Sequence, residues 1–181
     1  RSSDLDLALS LCQWCGTIPA GWFHCAWRDR DERYADHEYL SDVETIVQPV
    51  ANGTAGAVLA ALPYLNSEYV IIQYGDMPLI GNHQINILVN SSETDATLVI
   101  ANLPSDKLLK PYGRVFLDSN NKLNKIIEFE ELSEEQRSQS LFNTGFYKFK
   151  VSVLKEYLSQ IKYYKDYNEL YLPDIFEILK N

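Results

Sequence analysis

YVIIQYGDMPLI, residues 69–80, is the stretch on which the fold turns. Its first six residues, Tyr69-Val70-Ile71-Ile72-Gln73-Tyr74, form a nearly continuous apolar run of strand length. That pattern predicts a strand buried on both faces. Gly75 then permits a turn, and Asp76 presents a carboxylate just past the strand's carboxyl end. In open α/β sheets ligands bind at that edge. A lone carboxylate there suits Mg²⁺, a hard ion that takes one or two carboxylates alongside substrate phosphates. Gly-Asp is also an ordinary turn pair, so the segment by itself leaves both readings open.

Outward from this run the chain alternates strand and helix. Residues 43–47 read as a short strand, and Gly53-Thr54 leads into an Ala-rich helix over 55–62 with Thr54 as its N-cap and Pro63 near its close. A helix is expected over 82–90 and a strand over 96–101. Residues 114–118 and 123–128 flank Ser119-Asn120-Asn121, a hairpin signal. Ser133-Glu134-Glu135-Gln136 fits a capping box opening a short helix. A strand follows over 142–149. A helix is expected over 151–161, with Leu154, Tyr157, Leu158 and Ile161 on one face, and a last one over 172–179. Repeated βα units with an inserted hairpin predict an α/β sheet, mostly parallel.

The chain has 181 residues, enough for one domain with a sizeable core. Its formal net charge of −9 disfavours nucleic acid as a partner, and no basic run of five residues interrupts that balance. Anionic nucleotides stay within reach, because a metal ion and helix N-termini supply local positive potential. No apolar stretch reaches the about 18 residues that a spanning helix needs, so no membrane partner is expected.

Residues 1–40 differ from residues 41–181. All three Trp and all three Cys (Cys12, Cys15, Cys25) fall in the first 27 residues, and residues 1–40 contain neither Lys nor Asn. A boundary is expected near residue 40, with an atypical N-terminal segment, either a poorly packed appendage or sequence foreign to the fold, ahead of the domain. Within that segment Leu5, Leu7, Leu9 and Leu11 alternate as a strand does. Cys12, Cys15, His24 and Cys25 carry zinc-ligand chemistry, but adjacent His-Cys ligands are awkward around one ion. Reduced thiols in a cytoplasmic protein are the expectation. His37 and His83 have no nucleophile or carboxylate arrangement near them, so no nucleophilic catalyst is assigned.

Gln48-Pro49-Val50-Ala51-Asn52-Gly53-Thr54 links a strand end to a helix start, where first-turn N–H groups are open to a ligand. The Gln48 amide offers the donors and acceptor that a pyrimidine edge requires. A plain βα turn, with Asn-Gly chosen for backbone freedom, explains the same residues.

Six landmarks occur in one order. They are Gln48-x4-Gly53-Thr54-Ala55, Tyr74-Gly75-Asp76-x-Pro78-Leu79, Tyr112-Gly113-Arg114, Ile127-Glu128, Asn143-Thr144-Gly145 and Glu169-x-Tyr171-Leu172-x-Asp174. Over residues 43–180 the chain resembles the pyrophosphorylase (uridyltransferase) domain of the bacterial bifunctional N-acetylglucosamine-1-phosphate uridyltransferases. The resemblance implies a Rossmann-like, nucleotide-diphospho-sugar transferase fold. It implies UTP and N-acetylglucosamine 1-phosphate as substrates, UDP-N-acetylglucosamine as product and Mg²⁺ as cofactor. By resemblance Gln48, Gly53 and Thr54 contact the uracil, Tyr74 and Gly75 shape the nucleotide site, and Asp76 holds the metal. Gly113, Glu128 and Asn143 contact the sugar. Taken singly, Gly113 is also a turn glycine, Glu128 an exposed strand residue and Asn143 a satisfied turn amide.

Two departures from the family bear on activity: the triphosphate loop is lacking, and Lys165 stands four residues before Glu169, where the family usually has a metal-binding Asn. The family opens with a Gly-rich triphosphate loop followed by Arg and Lys, whereas Gly16-Thr17 is the nearest echo in residues 1–40. Losing preorganised charge there raises the transfer barrier. The fold is therefore expected to be incomplete at its N-terminal side, with activity impaired. A non-catalytic remnant that at most binds the nucleotide sugar is the alternative. No hexapeptide-repeat tail follows, so a trimer built by one is not expected.

Overall fold

The computed structural model describes residues 8–11, 22–27, 44–50, 52–74, 82–91, 94–164 and 169–180. Strands β1 (Ala8–Leu11), β2 (Trp22–Trp27) and β3 (Glu44–Gln48) are followed by helix α1 (Thr54–Ala61) and strand β4 (Tyr69–Tyr74). Helix α2 (Asn82–Val89), strand β5 (Ala96–Asn102) and the hairpin β6 (Arg114–Leu117) and β7 (Leu123–Ile127) come next. The long strand β8 (Leu141–Lys150) runs straight into helix α3 (Val151–Tyr157). A two-stranded ribbon of β9 (Tyr163–Tyr164) and β10 (Glu169–Leu170) precedes the short helix α4 (Ile175–Ile178).

One mixed eight-stranded sheet organises the chain, in the order β3-β2-β1-β4-β8-β6-β7, with β5 on the other edge of β8. The pairs β3–β2, β2–β1 and β1–β4 are parallel. Strand β8 is antiparallel to both β4 and β5, so β1 to β5 all run in one direction. The expected parallel character holds on that side, and β8 with the β6–β7 hairpin supplies the antiparallel remainder. Strand β1, part of the alternating leucine stretch, lies between β2 and β4 in the middle of the sheet. The backbone of residues 8–11 and 22–27 is thus inside the sheet, ahead of the boundary expected near residue 40.

Strand β4 is buried on both sides, as its apolar run predicts. Val70 and Ile72 pack into a large core with Val58, Leu154, Leu172 and Ile175, while Ile71 packs on the other face with Leu88 and Phe146. Helices α1, α3 and α4 therefore cover one face and α2 the other.

Four helix boundaries depart from the sequence expectation. Thr54 lies inside α1, whose N-cap is Gly53, and the Thr54 hydroxyl accepts from the Leu172 N–H at 3.0 Å. A distant partner has taken the group that a local cap would use. Ser133 and Gln136 do exchange the two reciprocal capping bonds, at 3.0 and 3.2 Å, yet they open only a 3₁₀ turn over Gln136–Ser138. Helix α3 stops at Tyr157 and tightens into a 3₁₀ turn over Leu158–Gln160, and the last helix begins as a 3₁₀ turn over Leu172–Asp174.

Candidate functional site

The loop after β3 folds on itself before it meets anything else. Gln48 is buried, and its Nε2 donates to Asn52 Oδ1 at 2.9 Å and to the Gly53 carbonyl at 3.2 Å. Gly56, one turn into α1, leaves the room this amide pair occupies, because a Cβ there would run into Asn52 and Gln48. Gly53 has φ +93°, the left-handed region that favours glycine, and a Cβ on it would stand 2.7 Å from both the N and the O of Leu170. The Leu170 N–H donates to the Asn52 carbonyl at 2.7 Å. With Leu172 bonded to Thr54, the strip 169–172 is laced along the loop. Strand alternation sends Leu172 into the core and turns Glu169 and Tyr171 to the cavity.

The facing wall is assembled from the hairpin and β8. Arg114, fully buried at the start of β6, gathers the carbonyls of Leu108, at 2.5 Å, and of Lys110 and Tyr112. That cage folds residues 108–112 into a fixed turn and delivers Tyr112 and Gly113 to the cavity. Tyr112 stacks on Phe142, centroids 5.2 Å apart, and a Cβ on Gly113 would stand 2.9 Å from Glu128 Oε2. Phe129, next to Glu128, lies between the guanidinium groups of Arg114 and Arg137, at 5.6 and 5.0 Å from its ring centroid.

Strand β8 carries a bulge at this point, since Leu98 pairs with Tyr147 while Ile100 pairs with Asn143. Gly145, at φ +70°, takes the left-handed turn of the bulge, and the Tyr74 ring lies against its Cα. The Thr144 hydroxyl replaces a ladder bond by donating to the Val99 carbonyl at 2.6 Å. The Asn143 side chain is thereby re-aimed, with its Oδ1 accepting from the Gly145 N–H at 3.1 Å.

Between these walls lies an open cavity of about 520 Å³. Gly53 and Thr54 line it from the loop after β3, Tyr74 from the end of β4, and Gly113, Glu128 and Asn143 from the hairpin and β8. Six residues singled out in the sequence thus meet in one space. Gln48 stands behind the loop and braces it. Gly75 and Asp76 lie outside the described residues, as do Gly16, Thr17, Cys12, Cys15 and His37. Of Cys25 and His24 only the backbone is described. Tyr112, Phe142, Thr144, Glu130, Glu169 and Tyr171 also line the cavity without having been assigned a role from the sequence. The period of two across residues 169–171 was the available signal for the last pair.

Carboxylates from both walls, Glu128, Glu130 and Glu169, line the cavity. Burial first, then repulsion from Glu130, Asp174, Glu169 and Glu131, pushes the Glu128 carboxyl up to about 7. Burial, with a hydrogen bond to Glu169, raises the Tyr171 phenol above its usual range, so it stays a neutral donor. Carboxylates with a phenol and an amide suit hydroxyl-rich neutral groups, and this part of the cavity would repel phosphate. Among the described residues no group of three His, Cys, Asp or Glu could hold a metal.

The profile described as Nucleotidyl transferase matches residues 28–180. The chain belongs to that family. It is 39% identical over 143 residues to the Bifunctional protein GlmU of Synechococcus sp. (strain CC9311), covering 76% of this chain and 31% of that protein. It is 32% identical over 143 residues to the protein of that name from Alkaliphilus oremlandii (strain OhILAs), covering 77% and 31%. The chain therefore spans about a third of these relatives, and the resemblance to their pyrophosphorylase-type domain holds. Among solved structures, a putative glucose-1-phosphate thymidylyltransferase from Bacillus anthracis superposes with a TM-score of 0.67 at 14% identity, covering 97% of this chain and 83% of that one. A UDP-glucose pyrophosphorylase complexed with UDP-glucose gives 0.63 at 16%, covering 88% and 70%. The shared fold is that of the nucleotide-sugar transferases. Among the described residues no helix is long and apolar enough to cross a membrane.

Proposed function

We propose that this domain binds UDP-N-acetylglucosamine and descends from an enzyme that makes it from UTP and N-acetylglucosamine 1-phosphate. One observation carries the reading. Residues the motifs assign to the nucleotide (Gly53, Thr54, Tyr74) and to the sugar (Gly113, Glu128, Asn143) line a single cavity. The Asn52–Thr54 loop takes the uracil, with the first N–H groups of α1 as donors and Gln48 bracing the loop from behind. The carboxylate wall takes the hexose hydroxyls, and the Tyr112–Phe142 pair offers an apolar surface to the acetamido methyl.

In the transfer, a phosphate oxygen of the sugar phosphate attacks the α-phosphorus of UTP. The bond from that phosphorus to the bridging oxygen breaks, and pyrophosphate leaves. The chain's own contribution is positioning, holding both substrates in line while excluding water from one side. Mg²⁺ fits the donor set, because a single carboxylate, Asp76, suffices when substrate phosphates complete the shell. When bound it would neutralise charge developing on those phosphates. Residues 1–40 contain neither a Gly-rich loop nor a Lys, which supports binding with impaired turnover.

Calorimetric titration of the full chain with UDP-N-acetylglucosamine and Mg²⁺ tests the proposal. Micromolar binding, weakened about tenfold or more in Asp76→Ala, is the expected result. A folded wild-type chain that takes up neither UDP nor UDP-N-acetylglucosamine would refute it.

A further inference from the structure

Tyr147 is fully buried, does not line the cavity, and nevertheless bonds one residue from each side of it. Its ring packs against Tyr74, Phe149 and Phe176, with centroids 5.9, 5.7 and 6.0 Å away. Its hydroxyl lies 2.6 Å from Asn143 Nδ2 and 3.3 Å from the Tyr74 hydroxyl.

The direction of these bonds follows from the backbone. The Gly145 N–H can only donate, so the Asn143 atom it meets must be the carbonyl oxygen Oδ1. Nδ2 is then the atom at 2.6 Å from Tyr147, and it donates to the phenol oxygen. The phenol proton has two acceptors in reach, Asn143 Oδ1 at 2.9 Å and the Tyr74 hydroxyl at 3.3 Å. The Tyr147 hydroxyl thus meets both polar atoms of the Asn143 amide and reaches Tyr74 as well, and bonds in one network polarise each other. Burial holds the Tyr147 phenol far above its usual range, so the hydroxyl keeps its proton at any working pH. The amide is locked at both ends, and the second Nδ2 hydrogen is the group it can present to a ligand.

We propose that Tyr147 is a positioning residue for hexose recognition: its hydroxyl fixes the Asn143 amide and ties that amide to Tyr74 on the nucleotide side. This rests on the binding function proposed above. Tyr147 touches no ligand, and it acts through Asn143. The ligand part affected is a hydroxyl or acyl oxygen of the hexosamine, whereas the uridine diphosphate part, seated on the Asn52–Thr54 loop, is unaffected.

The test is calorimetric titration of the full chain and of Tyr147→Phe, Asn143→Ala and the double variant, each with UDP and with UDP-N-acetylglucosamine in Mg²⁺. Tyr147→Phe keeps the ring and removes only the hydroxyl. It is expected to weaken UDP-N-acetylglucosamine about tenfold and UDP less than about twofold, an amount typical of one buried hydrogen bond. The double variant is expected to bind no more weakly than Asn143→Ala, because both changes remove the same interaction. Unchanged binding in Tyr147→Phe overturns the inference. So do losses that multiply in the double variant, or an equal loss for UDP, since each marks a packing effect. A wild-type chain that binds neither ligand refutes the proposed function itself and takes this inference with it. Should Tyr147→Phe fail to fold, proton NMR of the wild-type chain decides. A resolved, slowly exchanging Tyr147 hydroxyl proton supports the bonded chain, and an averaged one overturns it.

Discussion

The two walls of the cavity are built by different means. The nucleotide-side wall proposed above is held mostly through main-chain groups: a left-handed Gly53, the Leu170 N–H on the Asn52 carbonyl, and the Leu172 N–H on the Thr54 hydroxyl, with the Gln48 amide bracing the loop. The sugar-side wall is held by side chains: the Arg114 cage, the Glu128 carboxylate against Gly113, and the Asn143–Tyr147–Tyr74 chain. A main-chain wall keeps its shape through most substitutions and fails at its tightest glycine. A side-chain wall can be altered one residue at a time, and it places buried charge where stability suffers. Divergence in sugar preference should therefore collect on the second wall.

The largest effect is expected at Arg114. Arg114→Met roughly preserves length but leaves the carbonyls of Leu108, Lys110 and Tyr112 without their shared donor. Each orphaned buried acceptor costs about 1–3 kcal/mol, and some will turn to water, so about 4 kcal/mol should be lost in urea unfolding. The folded fraction should still bind UDP while losing selectivity for UDP-N-acetylglucosamine. Equal loss of both ligands would mean that the two walls are one cooperative unit, and the distinction would collapse.

Gly53→Ala probes the other wall. A left-handed conformation and a Cβ at 2.7 Å from the Leu170 backbone together should cost about 2–3 kcal/mol. Here UDP and UDP-N-acetylglucosamine should weaken by the same factor, because the defect lies under the part they share. A loss confined to the sugar nucleotide would contradict a main-chain origin of the nucleotide site.

How far each wall could be read in the sequence follows from the same difference. Local signals carried the frame: the run at Tyr69–Tyr74 is a strand buried on both faces, and Ser119-Asn120-Asn121 sits in the turn of the β6–β7 hairpin. The capping box of Ser133 and Gln136 forms both its bonds, but the segment is too short to go beyond one 3₁₀ turn. Thr54 was misread as a cap because Leu172, over a hundred residues away, claims its hydroxyl. Tyr147 looks from sequence like any aromatic in an apolar strand. Its role depends on the bulge that swings Asn143 toward it, and a bulge arises from pairing between distant strands. Motif resemblance reached Glu128 and Asn143. It included Glu169 and Tyr171 in a landmark but gave them no role, which shows only once the ribbon is placed beside the Asn52–Thr54 loop.

Glu128 sharpens the comparison with the smallest change. In the folded chain its carboxyl is pushed up to about 7, mainly by burial and then by neighbouring carboxylates. An unfolded glutamate releases its proton near 4.3. Below about pH 4 both states are protonated and the group contributes no difference. Between there and pH 7 the folded state retains a proton that the unfolded state has lost, so stability falls as pH rises. Above pH 7 the whole penalty is present. Glutamine cannot ionise, so Glu128→Gln should match the wild type at pH 4 and exceed it by about 2 kcal/mol at pH 8, read by urea unfolding at both pH values. Binding should move the opposite way. Sugar hydroxyls donate to a carboxylate more strongly than to an amide, so wild-type affinity for UDP-N-acetylglucosamine should rise from pH 6 to pH 8 while that of Glu128→Gln stays low and flat. A variant more stable than the wild type at pH 8 yet poorer in sugar selectivity shows a side-chain wall retained for its ligand. A variant whose stability advantage does not grow with pH would mean that this carboxylate is better solvated than the geometry requires.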